Sequence, residues 1–232
     1  MNHRPPLHIK SEWTFQDTLI QNSDLILSFL FLIVSALPFY LVFDRKKVKA
    51  RELTPIALMA ALCVVGRAAF SLIPLPNFKP VSAIIIITAL AFGPEAGYLT
   101  GALAAILSNF LFGQGPWTPW QMFSFGIIGF LAGILYQKGI LKARKRDLCI
   151  YGFLSVVLIY GGIMNPASIL MSYGYITPAS LVAFYISGIP VDLVHALSTV
   201  IFLWFLSRPL LEKLERIKKK YGLIESGKEE ML

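Results

Sequence analysis

Six polar side chains stand within or beside long apolar runs: Arg67, Asn109, Gln121, Asn165, Asp192 and His195. Facing lipid, each would cost free energy, so each marks either a functional site or a polar contact between helices. Asp192 and His195 are the only pair with the chemistry of an acid and a base. No second carboxylate accompanies Asp192 in the pattern of an aspartyl protease, and neither GxSxG nor HExxH occurs. A Walker A motif is also missing, so the chain does not itself hydrolyse nucleotide. Nor does a series of acids run through the apolar stretches, as proton-coupled or sodium-coupled carriage would need. Simpler roles exist for both residues: Asp192 can cap a helix, and His195 can bond to Arg67 or to a backbone carbonyl.

Binding chemistry is better represented than catalysis. Arg67 lies about 22 Å along its helix from the basic end. Asn109 is near the far end of its own run, Gln121 is in the first turn of the next, and Asp192 and His195 follow directly on Pro190. All fall in the same half of the membrane. Two connections there are rich in aromatic, amide and proline residues: Phe78 and Lys79 in one, Gln114, Trp117, Trp120 and Gln121 in the other. Apolar walls with a few directional polar groups are what a small-molecule site requires. Trp117, Trp120, Phe78 and Tyr173 would cover flat apolar faces, and Gln114, Gln121, Asn109 and Asn165 would pair with amides. The competing role for the tryptophans is an interfacial belt, although the Gly and Pro residues around them favour a shaped loop.

The elements that must position these residues are transmembrane helices. Of 232 residues, 56% are hydrophobic and 15% charged, unlike the mixture that covers a soluble domain. The apolar residues come in runs near the roughly 20 that span a bilayer as helix, without the alternation of a β-barrel. Spans are expected at Leu25 to Phe43, Glu52 to Leu72, Val81 to Phe92, Ala96 to Phe112, Trp120 to Lys138, Leu148 to about Leu170, and Pro190 to Ser207. Tyr173 to Gly188, less apolar and broken by Gly174, Pro178 and Gly188, reads as an external loop with a short helix. Leu210 to Leu232 reads as an amphipathic or frayed basic tail.

Charge sets the expected orientation. The net charge is +8, and the basic residues gather at Arg45 to Arg51, Lys138 to Arg146 and Arg208 to Lys228. By the positive-inside rule all three clusters are cytoplasmic, which places the N-terminus outside and the C-terminus inside. Without a nucleic-acid-binding signature they are a topology signal, and no nucleic-acid partner is expected. The chain divides into an N-terminal segment (1–23), an additional transmembrane helix (24–44), a six-helix domain (50–208) and a basic tail (209–232). Cys63 and Cys149 are far apart and form no metal motif, and no cofactor is expected. Ala57 and Ala61, Gly97 and Gly101, and Gly126, Gly129 and Gly133 have the spacings that let helices pack closely, within the chain or against another subunit.

Six core helices, an Ala-x-x-x-Ala at Ala57 and Ala61 on the first, and a last helix opening Gly188-Ile189-Pro190-Val191-Asp192-Leu193-Val194-His195 resemble the substrate-binding S component of energy-coupling factor (ECF) vitamin transporters. The resemblance covers about residues 50–210. It implies an all-α membrane protein, a six-helix bundle with one extra N-terminal helix, in a bacterial plasma membrane. It implies a vitamin captured from outside and released inward by a coupling membrane protein and two ATPase subunits. Ala57 and Ala61 would rest against the coupling protein, and Leu72 to Pro80 would gate the site. The Gly113 to Met122 loop, GQGPWTPWQM, is similar to a subgroup associated with cobalamin or a related corrinoid, while riboflavin would fit the same groups. An intramembrane enzyme and a structural or assembly protein are the alternatives.

Overall fold

The computed structural model describes residues 50–221, together with Leu30 and Ile33. The expected additional helix at 25–43 therefore lies outside the described residues, apart from those two positions. The described chain forms six helices and no strand: α1 Ala50–Phe70, α2 Val81–Phe92, α3 Pro94–Phe112, α4 Trp117–Gln137, α5 Lys145–Tyr173 and α6 Pro178–Tyr221. All except α2 are long and apolar enough to cross a membrane. The molecule is an all-α membrane protein.

At the centre stands α2. Its sequence, VSAIIIITALAF, has no polar stripe, and every residue but Phe92 is buried, as a helix apolar on all sides must be. It touches α1, α3, α4 and α6. Twelve residues make only about 18 Å of helix against a hydrocarbon core of about 30 Å. The residues before it are packed into the bundle as well: Lys79 and Pro80 are buried, and the Ser198 hydroxyl of α6 donates to the Lys79 carbonyl at 3.2 Å. Gly93, at φ 96°, turns the chain into α3 within one residue.

The α3–α4 seam explains most of the glycine spacing. A Cβ on Gly101 would come within 2.5 Å of the Phe125 carbonyl oxygen, and one on Gly129 within 2.5 Å of that of Gly97. These glycines bring the two backbones into contact, the small-residue packing that replaces the hydrophobic effect inside lipid. By contrast, Ala57 and Ala61 are exposed on α1, with Leu58, Leu62 and Val65.

Two sequence expectations are corrected. The last helix begins at Pro178, not Pro190, and runs to Tyr221, so most of the segment read as an external loop is helix, and only Gly174 to Thr177 connects α5 to α6. Helix also continues through Pro209 into the stretch read as a tail, where Leu214 is buried and Leu210, Leu211 and Ile217 pack on the core. Proline is tolerated inside membrane helices where a neighbouring group takes up the carbonyl it leaves unpaired, and Pro166 shows this. In α5, Pro166 has no N–H for the Gly162 carbonyl, and the Tyr185 hydroxyl of α6 donates to that carbonyl at 3.2 Å. A π-helical turn at Val156–Gly161 precedes it.

Candidate functional site

One end of the bundle carries the connections 71–80, 113–116 and 174–177; the other carries the basic connection 138–144. At the first end, beneath 71–80, lies a hollow of about 320 Å³, open on one side, walled by Arg67, Phe70, Phe112 and the loop residues Ser71 and Ile73 to Lys79. Asn77 turns that loop with a positive φ of 60°, a conformation asparagine tolerates better than most residues. Its side-chain oxygen accepts from Lys79 Nζ at 2.8 Å. Phe78 packs against Phe70 and Phe202, with ring centroids 5.9 and 5.6 Å away.

Behind the hollow, a relay of neutral polar groups fixes Arg67. Its Nη1 donates to Ser108 Oγ at 2.6 Å and to Asn109 Oδ1 at 2.8 Å, and its guanidinium lies 4.6 Å over the Phe112 ring. Asn109 is fully buried, and its Nδ2 donates to Thr118 Oγ1 (3.0 Å) and Gln121 Oε1 (2.9 Å). Thr118 donates to Gln114 Oε1 at 2.8 Å, Gln114 Nε2 to the Ile106 carbonyl at 3.0 Å, and Gln121 Nε2 to the Tyr160 hydroxyl at 3.5 Å. The network links α1, α3, α4 and α5. In a low-dielectric interior, such a satisfied network rigidifies what it holds.

Deeper still is a cluster of rings. Tyr160 meets His195 edge-on at 4.7 Å and tilts against Phe125 at 4.8 Å, while Lys79 Nζ stands 5.8 Å from the Phe125 centroid. His195 is wholly buried; Nε2 is 2.9 Å from Ser82 Oγ, and Nδ1 has no partner among the described residues. Neither Arg67 nor a carbonyl is its hydrogen-bond partner. Asp192 is likewise not a helix cap: it lies within α6, where Asn165 Nδ2 donates to its Oδ2 at 3.0 Å. Side chains at Gly161 or Gly188 would collide with this pair.

Sequence-selected residues thus fall into three groups. Arg67, Phe78 and Lys79 line the hollow. Asn109, Gln114 and Gln121 support it from behind, and His195, Asn165 and Asp192 join α6 to α2 and α5 below it. Trp120 is half-buried in the first turn of α4, whereas Trp117 is 39% exposed beside Gly115. Tyr173, 57% exposed, pairs with Phe184 at the tip of the α5–α6 hairpin. Neither Trp117 nor Tyr173 is among the hollow's walls.

Asn77, Ser82, Ser108, Phe112, Thr118, Phe125 and Tyr160 were not selected from sequence. Hydroxyls and aromatics are ordinary in apolar helices, and nothing local distinguishes these. Burial pushes the Lys79 ammonium down to about 7, and the nearby Arg67 charge adds to the effect. No group of three or more His, Cys, Asp or Glu residues is placed to hold a metal among the described residues.

A family model described as "ECF-type riboflavin transporter, S component" matches residues 47–212. Among curated proteins, a UPF0397 protein of Clostridium perfringens is 30% identical over 96 residues, 39% of this chain and 49% of the relative. A UPF0397 protein of Vibrio atlanticus is 28% identical over 117 residues, 49% of this chain and 64% of the relative. The chain thus spans about half to two thirds of the length of the curated relatives it matches. No solved structure matches it. With the family match covering most of the chain, from before α1 to well into α6, the protein belongs to the S-component family of ECF-type riboflavin transporters, whose members are substrate-binding membrane subunits and not enzymes.

Proposed function

We propose that this protein captures a flat vitamin of the riboflavin class at the end bearing connections 71–80 and 113–116, and hands it inward with energy from partner ATPases. The observation that carries this reading is the hollow: about 320 Å³, lined by Phe70, Phe78 and Phe112, by Arg67 and Lys79, and by the 71–80 connection. That volume is at the small end of ligand sites. It suits a three-ring heterocycle, whereas a corrinoid with its axial nucleotide is several times larger. Cobalamin, favoured by the Gly113 to Met122 motif alone, is accordingly the weaker candidate, and the riboflavin-type family description agrees with that order.

In this reading the basic end faces the cytoplasm and the hollow faces outward, as the lysine and arginine clusters favour. Exposed Ala57 and Ala61 are the contact for the membrane coupling protein. Arg67, Phe78, Lys79 and Phe112 touch the ligand; Asn109, Gln114 and Gln121 hold Arg67 in place; and Trp117, Trp120 and Tyr173 serve the membrane boundary. Asn165, Asp192 and His195 join α6 to its neighbours below the ligand.

The test is equilibrium titration of the purified protein with riboflavin, cobalamin, thiamine and biotin. Riboflavin is expected to bind, with its fluorescence quenched against Phe78 and Phe112. Binding of cobalamin, thiamine or biotin alone would remove the proposal.

A further inference from the structure

Outside the three basic clusters the chain has only four lysines and arginines, and two of these, Arg67 and Lys79, line one hollow. Neither has a carboxylate partner among the described residues. Arg67 bonds only to the neutral Ser108 and Asn109, and Lys79 Nζ only to the neutral Asn77 side chain. Among the described residues Asp192, a carboxylate within α6, is already paired with Asn165. Two like charges lining one hollow repel each other, and a buried ammonium without a charged partner is costly. Donors also remain. Both Arg67 side-chain hydrogen bonds leave from Nη1, so Nε and Nη2 make none within the described chain, and Lys79 uses one of three. The Asn109 relay holds the guanidinium in place, as a prepared anion seat requires.

We propose that the hollow takes an oxyanion, a phosphate or carboxylate carried by the substrate, between the Arg67 guanidinium and the Lys79 ammonium. For a flavin, the cargo preferred by this chain is then the form phosphorylated on its ribityl arm, with the ring against Phe78 and Phe112. The choice of a flavin rests on the function proposed above; the oxyanion seat does not. Charge-assisted and bidentate bonds to such a group are the strong class of hydrogen bond.

The experiment compares riboflavin and riboflavin 5′-phosphate by fluorescence titration, with inorganic phosphate tested for thermal stabilisation and for competition. In the wild-type protein the phosphorylated flavin is expected to bind at least ten times more tightly than riboflavin, and phosphate to raise the melting temperature. In Lys79→Met and Arg67→Gln the affinity ratio should fall towards one and the phosphate effect disappear. Lys79→Met exchanges a buried charge for an apolar chain of similar length, and a melt without ligand verifies its folding. Equal affinities for the two flavins in wild type, with no phosphate effect, would overturn the oxyanion seat while leaving the flavin reading intact. Phosphate stabilisation lost in both variants, with no flavin bound, would uphold the seat and remove the flavin. No response to phosphate or to either flavin would end both.

Discussion

The α3–α4 seam and the hollow beneath 71–80 lie in the same bundle but are built on opposite terms. Along the seam, Gly97, Gly101 and Gly129 bring backbone against backbone, Gly126 makes room for the Tyr98 ring, and no charged side chain takes part in those contacts. Around the hollow, a guanidinium and an ammonium are held at a half-open cavity without a carboxylate to balance them among the described residues. One region is complete as folded; the other is organised yet electrostatically unfinished. The difference teaches where to look for a ligand in a membrane bundle: at the place where polar groups are held firmly but not satisfied.

Breaking the complete region should have the largest effect. Gly101→Leu or Gly129→Val forces side-chain atoms into the facing backbone, and should cost about 3 kcal/mol or more of stability. A lower melting temperature and poor accumulation in membranes would register it, and an unchanged melt would show that the seam opens easily.

Next is Asn109→Leu, which strands Thr118, Gln121 and one Arg67 bond in a buried network. A loss of about 2 kcal/mol is expected, with riboflavin affinity falling because Arg67 is no longer held. A stable protein with full affinity would show that the relay does not position Arg67.

Lys79→Met should act in the opposite sense on stability, because it relieves the strain of an unfilled site. In the wild type, Lys79 titrates near 7 when folded and near its usual 10.5 when unfolded. Between those values the unfolded chain holds more protons, so the contribution of this group to stability rises with pH across that window and is least below pH 7. Arg67 and His195 stand close by, and comparison of wild type with Lys79→Met isolates the part of the slope that belongs to Lys79. The substitution should raise the melting temperature below pH 7 by the equivalent of about 1–2 kcal/mol and flatten the rise between pH 7 and 10. A pH profile unaltered by the substitution would place the ammonium in water. Trp117→Ala, at the exposed mouth of α4, should change stability by less than about 0.5 kcal/mol and riboflavin affinity by less than threefold; a larger loss of affinity would move the binding surface towards the 113–116 connection.

Sequence reading reached the helical membrane fold because lipid makes length and apolarity nearly sufficient to define a span. It failed where that rule is weakest. Pro178 to Gly188 has mixed polarity and two prolines follow, yet the segment is helix and packs on α5, with the Tyr185 hydroxyl donating across the hairpin to the Gly162 carbonyl. Such a pairing, 23 residues apart, leaves no local trace. Arg67, Lys79, Asn109 and Gln121 were legible because charged and amide groups are rare at their positions. Phe112 and Tyr160 were not, since aromatics suit an apolar helix whether or not they meet a ligand. Which polar residues face the cavity and which only support it depended on helix rotation, which the weakly amphipathic α3 and α4 do not declare.

The central claim is that the hollow opens outward and is filled by the vitamin. Ser71, exposed on its wall, offers a direct probe, because Cys63 and Cys149 are both buried and should stay silent. In intact cells, Ser71→Cys should react with a membrane-impermeant maleimide added outside, and riboflavin should slow that reaction at least tenfold. Labelling from the cytoplasmic side only, or at a rate riboflavin leaves unchanged, would contradict the account.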